Sequence, residues 1–126
     1  MTKKKSNKYF PPLNIELGNQ SLAIWLRENK YIIHSELVRF SEILLTSGEE
    51  QIQSIIVSNF TDNVVFLIDK STVALTLETA MNYFLSIEEF EICAKIRDLQ
   101  ILIEKIKNEG GNTKDSKQSK RKSKIS

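Results

Sequence analysis

The chain of 126 residues is poor in the residues that staple, ligate or catalyse: one cysteine, one histidine and two prolines. A single thiol, Cys93, cannot close an intramolecular disulfide. Together with His34 it falls short of the roughly four Cys or His ligands of a structural zinc site. No metal and no cofactor is therefore expected. A glycine-rich phosphate loop and an HExxH pair are absent as well. His34, in "YIIHSEL", stands beside an expected helix start, where a cap or a surface position is its ordinary role. Cys93 lies on a helix flank with no basic residue beside it in sequence, so packing rather than nucleophilic attack is its expected use. Catalysis and a small-molecule substrate are not expected.

Long apolar runs are missing too. No stretch approaches the 18 or so apolar residues of a membrane span, so no membrane partner is expected. The basic start "MTKKKSNK" continues into "YFPPLNIELG" rather than into the apolar core of a signal peptide, and a cytoplasmic location is the expectation. Asn59-Phe60-Thr61 has the form of a glycosylation acceptor, which a chain that is not secreted would leave unused.

Charge is plentiful but uneven. Residues 1–8 hold four lysines and no acid, and 114–126 hold six bases and one acid. Removing these from the 18 bases and 16 acids of the whole chain leaves 8 bases and 15 acids in residues 9–113. The overall charge of +2 thus conceals a body of −7 between two basic ends. The tail "KQSKRKSK" has the composition of a disordered polybasic segment. Its Lys117, Lys120, Arg121, Lys122 and Lys124 are candidates for loose, salt-dependent contact with nucleic acid. No aromatic residue is interleaved for base stacking, so sequence-specific reading is not expected.

Pro11-Pro12 closes the N-terminal tail, and "LNIEL" alternates as a short strand or extended arm. Ser21 is a fitting N-cap for a short helix through "LAIWLREN", and Ser35 for another over Glu36–Thr46. A helix-turn-helix built from these two would have to read DNA with Glu36 and Glu42 against Arg39 alone, a poor balance for a groove. Ser47-Gly48-Glu49-Glu50 has the form of a capping box, which predicts a third helix over Glu49–Val57, although "SIIV" also suits a strand. "NVVFLID", Asn63–Asp69, is rich in β-branched and aromatic residues and favours a buried strand over a helix, with "FTDN" as the turn of a hairpin if both segments are strands and an all-α body if both are helical.

The strongest periodicity lies toward the C-terminus. Val73, Leu77, Ala80, Met81 and Phe84 share one face of a helix over Ser71–Leu85. Ser86-Ile87-Glu88-Glu89 reads as a second capping box, followed by a helix over Ile87–Asn108 that Gly110-Gly111 ends. So short a link makes the pair antiparallel. The second helix has two apolar flanks: Ile92, Ile96, Leu99, Ile103 and Ile106 form a heptad-like seam, and Phe90, Ala94 and Ile101 lie beside it. At 1.5 Å per residue it outruns the first by about 10 Å. The overhang carries Ile101, Leu102, Ile103 and Ile106, which ask for cover from the rest of the chain, a second copy or another protein.

The expected fold is mainly α: a small helical domain with a C-terminal antiparallel helical hairpin and at most a two-stranded sheet near 54–69. Its expected parts are a disordered basic tail over 1–12, an N-terminal part over 13–70 that is helical or α+β, the helical hairpin over 71–109 and a disordered basic tail over 110–126.

"LETAMNYFLSIEEFEICAKIRDLQILIEKI", Leu77–Ile106, resembles the UVR motif of the excision repair proteins UvrB and UvrC, found also in bacterial stress regulators. The resemblance implies a helical hairpin used for association between proteins. It assigns Phe90 and Glu91 to the motif's aromatic–acid pair, Ala94 to the small residue that lets helices approach, and Ile96, Arg97, Asp98 and Ile101 to the Arg-Asp pair and the apolar positions around it. Nothing resembles the helicase or nuclease parts of the repair enzymes. The resemblance therefore implies a small, non-enzymatic docking module that binds another protein, or itself, through Phe90, Glu91, Ala94, Arg97, Asp98 and Ile101. The other reading is a nucleic-acid accessory factor working through its basic tails. Arg97 could alternatively clamp a carboxylate such as Glu78 across the hairpin.

Overall fold

The computed structural model describes residues 10–112. In chain order its elements are β1 (Leu13–Glu16), α1 (Leu22–Glu28), α2 (Lys30–Ser47), β2 (Gln51–Ser58), β3 (Asn63–Asp69), α3 (Val73–Ser86) and α4 (Phe90–Asn112). This is an α+β fold, and it corrects the mainly α expectation: a three-stranded mixed sheet carries a layer of helices. The pair α3 and α4 is part of that layer, sharing one core with α2 and the sheet, rather than a hairpin set apart.

The sheet has the order β1-β2-β3. β1 runs parallel to β2, with Leu13 beside Ile55 and Glu16 beside Ser58, so α1 and α2 form the crossover between them. β2 and β3 are an antiparallel hairpin from Gln51–Asp69 to Ser58–Asn63. Its register slips between Gln53 and Ile55, leaving Ser54 as the extra residue of a bulge. The Ser54 hydroxyl, buried there, donates to the Phe66 carbonyl at 3.0 Å.

Local chemistry explains where the expected boundaries move. Gly48 has φ +83°, a left-handed C-cap that ends α2 and turns the chain into β2. The Ser47 oxygen accepts from the Glu49 amide at 3.2 Å, not from Glu50, so no capping box forms and the residues after it extend. Ser21 does cap α1, accepting from the Ile24 amide at 3.2 Å. α2 begins at Lys30 rather than after Ser35. Asn29 alone separates the two helices and ties back to the Trp25 carbonyl at 2.9 Å. A single residue is too short for the three- or four-residue turn of a helix-turn-helix.

Two apolar clusters meet in the interior. One joins α2, α3 and α4 to the sheet through residues such as Phe40, Ile68, Leu77, Phe84 and Ile96. The other packs Leu17, Ile33, Ile55 and Val57 under Trp25 and Leu22 of α1. β2 and β3 alternate accordingly: Ile52, Ile55, Val57 and Ile68 are buried on the helix side, while Gln51, Gln53, Val65 and Leu67 are exposed on the other.

His34 sits inside α2, not at a helix start. Its ring stacks on Tyr83 at 4.7 Å and meets the edge of Phe84 at 6.3 Å, and its buried Nδ1 has no hydrogen-bond partner. Burial, aided by the Lys30 charge, lowers its pKa below the ordinary 6.5. The unfolded chain therefore binds a proton more readily than the folded one. The stability tied to the neutral ring is fully present above about pH 6.5 and is lost as pH falls through the lowered folded value. Urea unfolding at pH 7.5 and pH 5 checks this: acidification should cost the wild type more than His34→Gln.

Candidate functional site

α4 is built on two faces. Its buried side presents Cys93, Ile96 and Leu99, at 4%, 0% and 5% exposure, to α2 and α3, with Ile92 and Ile103 half-buried beside them. The heptad-like seam is thus covered by the chain itself as far as Ile103, and Cys93 lies in the core. The overhang is covered in part: Ile103 packs on the core, while Ile106 stays 44% exposed. There the end of α4, the end of α2 and the start of α3 frame an apolar groove of about 580 Å³, with Lys70 and Lys107 among its lining residues.

The opposite side of α4 holds the six residues singled out in the sequence. At 100° per residue, Phe90, Ala94, Arg97 and Ile101 cluster within about 60° of one another and point away from the buried positions. Phe90 is 62% and Ile101 59% exposed, and Ala94, Arg97, Glu91 and Asp98 are exposed with them. The stripe runs about 16 Å along the helix. Leu85 and Ile87, both partly exposed, extend the apolar surface onto the link between α3 and α4.

Details of that link differ from the expected capping box. The Ser86 hydroxyl donates to the Tyr83 carbonyl at 2.6 Å, and Glu88 adopts a left-handed φ of +62°. α4 consequently starts at Phe90 and continues to Asn112, past Gly110 and Gly111. Ala94 faces outward and does not serve helix approach within this chain. The ion pairs among the described residues are Glu36–Arg39 at 2.9 Å, Glu50–Lys70 at 3.2 Å and Glu42–Lys95 at 2.7 Å. The clamp from Arg97 to Glu78 is not formed, and Lys95 reaches across to Glu42 of α2. Arg97 therefore keeps all its donors free of carboxylates among the described residues.

Among the described residues, no three His, Cys, Asp or Glu side chains gather to hold a metal ion. No helix there is long and apolar enough to cross a membrane. Lys117, Lys120, Arg121, Lys122 and Lys124 lie outside the described residues. Comparison of the chain with protein-family models, with curated proteins and with solved structures gave no match.

Sequence reasoning singled out the α4 stripe but could not say which flank of the helix was buried. It missed the outer surface of β3, where the apolar Val65 and Leu67 are exposed. Their signal was present in "NVVFLID", an uninterrupted apolar run that cannot all face one side of a strand.

Proposed function

We propose that this chain is a non-enzymatic docking module that binds a partner protein through the outer face of α4. The observation that carries the reading is the pairing of Phe90 and Ile101, large apolar side chains held in the open on a well-packed helix. Covering a residue of this kind is worth up to about 1.5–3 kcal/mol. Arg97 between them adds a fork of donors for a carboxylate, and an aromatic anchor with an arginine is the composition of an interface hot spot. The UVR-like pattern points the same way for six of its seven matched residues, which face outward, while the seventh, Ile96, is buried in the core.

The test is affinity capture from nuclease-treated native lysate, with the captured protein identified by mass spectrometry. The full chain and a chain of residues 10–112 should retain the same protein. Phe90→Asp and Ile101→Asp should each reduce its capture at least tenfold while circular dichroism shows the fold intact, because neither position is in the core. Equal capture by wild type and both variants would refute the α4 site. Capture lost on nuclease treatment, or on removing 113–126, would move the function to the basic tail and to nucleic acid.

A further inference from the structure

The sheet ends differently on its two sides. β1 is four residues long, follows Pro11-Pro12 and carries Glu16, the devices by which an edge strand avoids pairing with another chain. β3 shares only the charge at its last residue, Asp69. It runs seven residues as Asn-Val-Val-Phe-Leu-Ile-Asp, with no proline and no charge before its last position, and it bonds to β2 on one side only. Val65 and Leu67 are 40% and 49% exposed on the open face, and Val64 and Phe66 are half-buried on the other.

We infer that β3 is the pairing edge of a homodimer, in which β3 of a second copy adds antiparallel about a two-fold axis at Phe66 to give a continuous six-stranded sheet. This interface is separate from the α4 face and does not rest on the function proposed for it.

The backbone supports that register. The Phe66 carbonyl faces β2, where it accepts from the Ser54 hydroxyl. Strand alternation then turns the N–H and C=O of Val65 and Leu67 to the outer side. A two-fold at Phe66 sets Val65 opposite Leu67 of the second copy, and each of the two such pairs closes two hydrogen bonds. Asp69 already satisfies its outward N–H and C=O within its own turn through Thr72, which limits the ladder to the centre of the strand.

Charge selects the same arrangement. Counting outward from Phe66, Asp69 meets the neutral Asn63 of the second copy and Lys70 meets its Asp62, so an opposite-charge pair closes each end of the ladder. Asp62 is exposed and its side chain makes no ion pair among the described residues, while Lys70 pairs with Glu50 at 3.2 Å on the open surface, so the contact with Asp62 adds a second carboxylate to that lysine. Parallel pairing in register would instead set Asp69 beside Asp69 and Lys70 beside Lys70. A seven-residue edge offers less than the roughly 1,600 Å² of a standard stable interface, so the dimer should be reversible on dilution.

Sedimentation velocity on the full chain across a concentration series is the experiment. The expected result is a mass rising from the 14.5 kDa monomer toward twice that value as concentration increases. Asp62→Lys and Lys70→Asp should each weaken association about fivefold to tenfold, and the two together should restore it, since the swap rebuilds both end pairs. Val65→Lys, at an exposed position, should leave a folded monomer. A chain that stays monomeric up to about millimolar concentration would overturn the inference. So would a dimer indifferent to both charge reversals, which would place the contact on another surface.

Discussion

Phe84→Ala is expected to destabilise the protein by about 3–5 kcal/mol, measured as a fall in the urea unfolding midpoint at unchanged slope. Phe84 is fully buried near the end of α3 and shares the main core with α2 and α4. Its ring takes edge-on contacts from Tyr31 at 5.5 Å and Tyr83 at 5.1 Å, with His34 at 6.3 Å. Truncation removes the transfer free energy of the ring, leaves a cavity that helices on three sides cannot fully close, and forfeits the edge-to-face geometry. A domain of this size has only about 5–15 kcal/mol in hand, so the variant should sit near the limit of cooperative folding at room temperature. His34 supplies an internal check. Opening the space beside its ring should readmit water and relax its lowered pKa toward the ordinary value, visible by NMR titration of its one imidazole.

Phe84 was legible in the sequence because helical period alone sets it in line with Val73, Leu77 and Ala80, and the structure buries all four. Ser21, whose cap is a local hydrogen bond, was equally legible, while at Asn63–Asp69 β-branched composition favoured the strand without excluding a helix and did not show that one face would stay open. What failed was the fold class, and it failed at Gly48. Ser-Gly-Glu-Glu satisfies the letters of a capping box, but a glycine just past a helix also serves as a left-handed C-cap, and here that role wins. Once α2 stops there, "QIQSIIVS" extends. It then gains two strand neighbours, of which β1 lies far back in the chain and leaves no local trace in the pattern of β2. The candidate site was half legible for a related reason. Periodicity showed that α4 has two apolar flanks, but the choice of the buried one depends on where α2 and α3 stand, a tertiary fact.

Adjacent positions on α4 should respond in opposite ways to a new negative charge. Ile96→Asp is expected to abolish cooperative folding. Ile96 is fully buried in an apolar cluster, and a carboxylate there would have no partner and no water, a cost of several kcal/mol on top of the lost packing. Arg97→Glu, one residue on, should change stability by no more than about 0.5 kcal/mol, because the side chain is exposed and makes no ion pair among the described residues. Thermal unfolding of both variants by circular dichroism makes the comparison. If Arg97→Glu folds like the wild type yet loses the captured protein, the arginine acts in the partner contact and the outward face of α4 is the docking surface. If it unfolds with Ile96→Asp, the arginine braces the chain's own helices, and the docking contact must be sought away from the centre of α4.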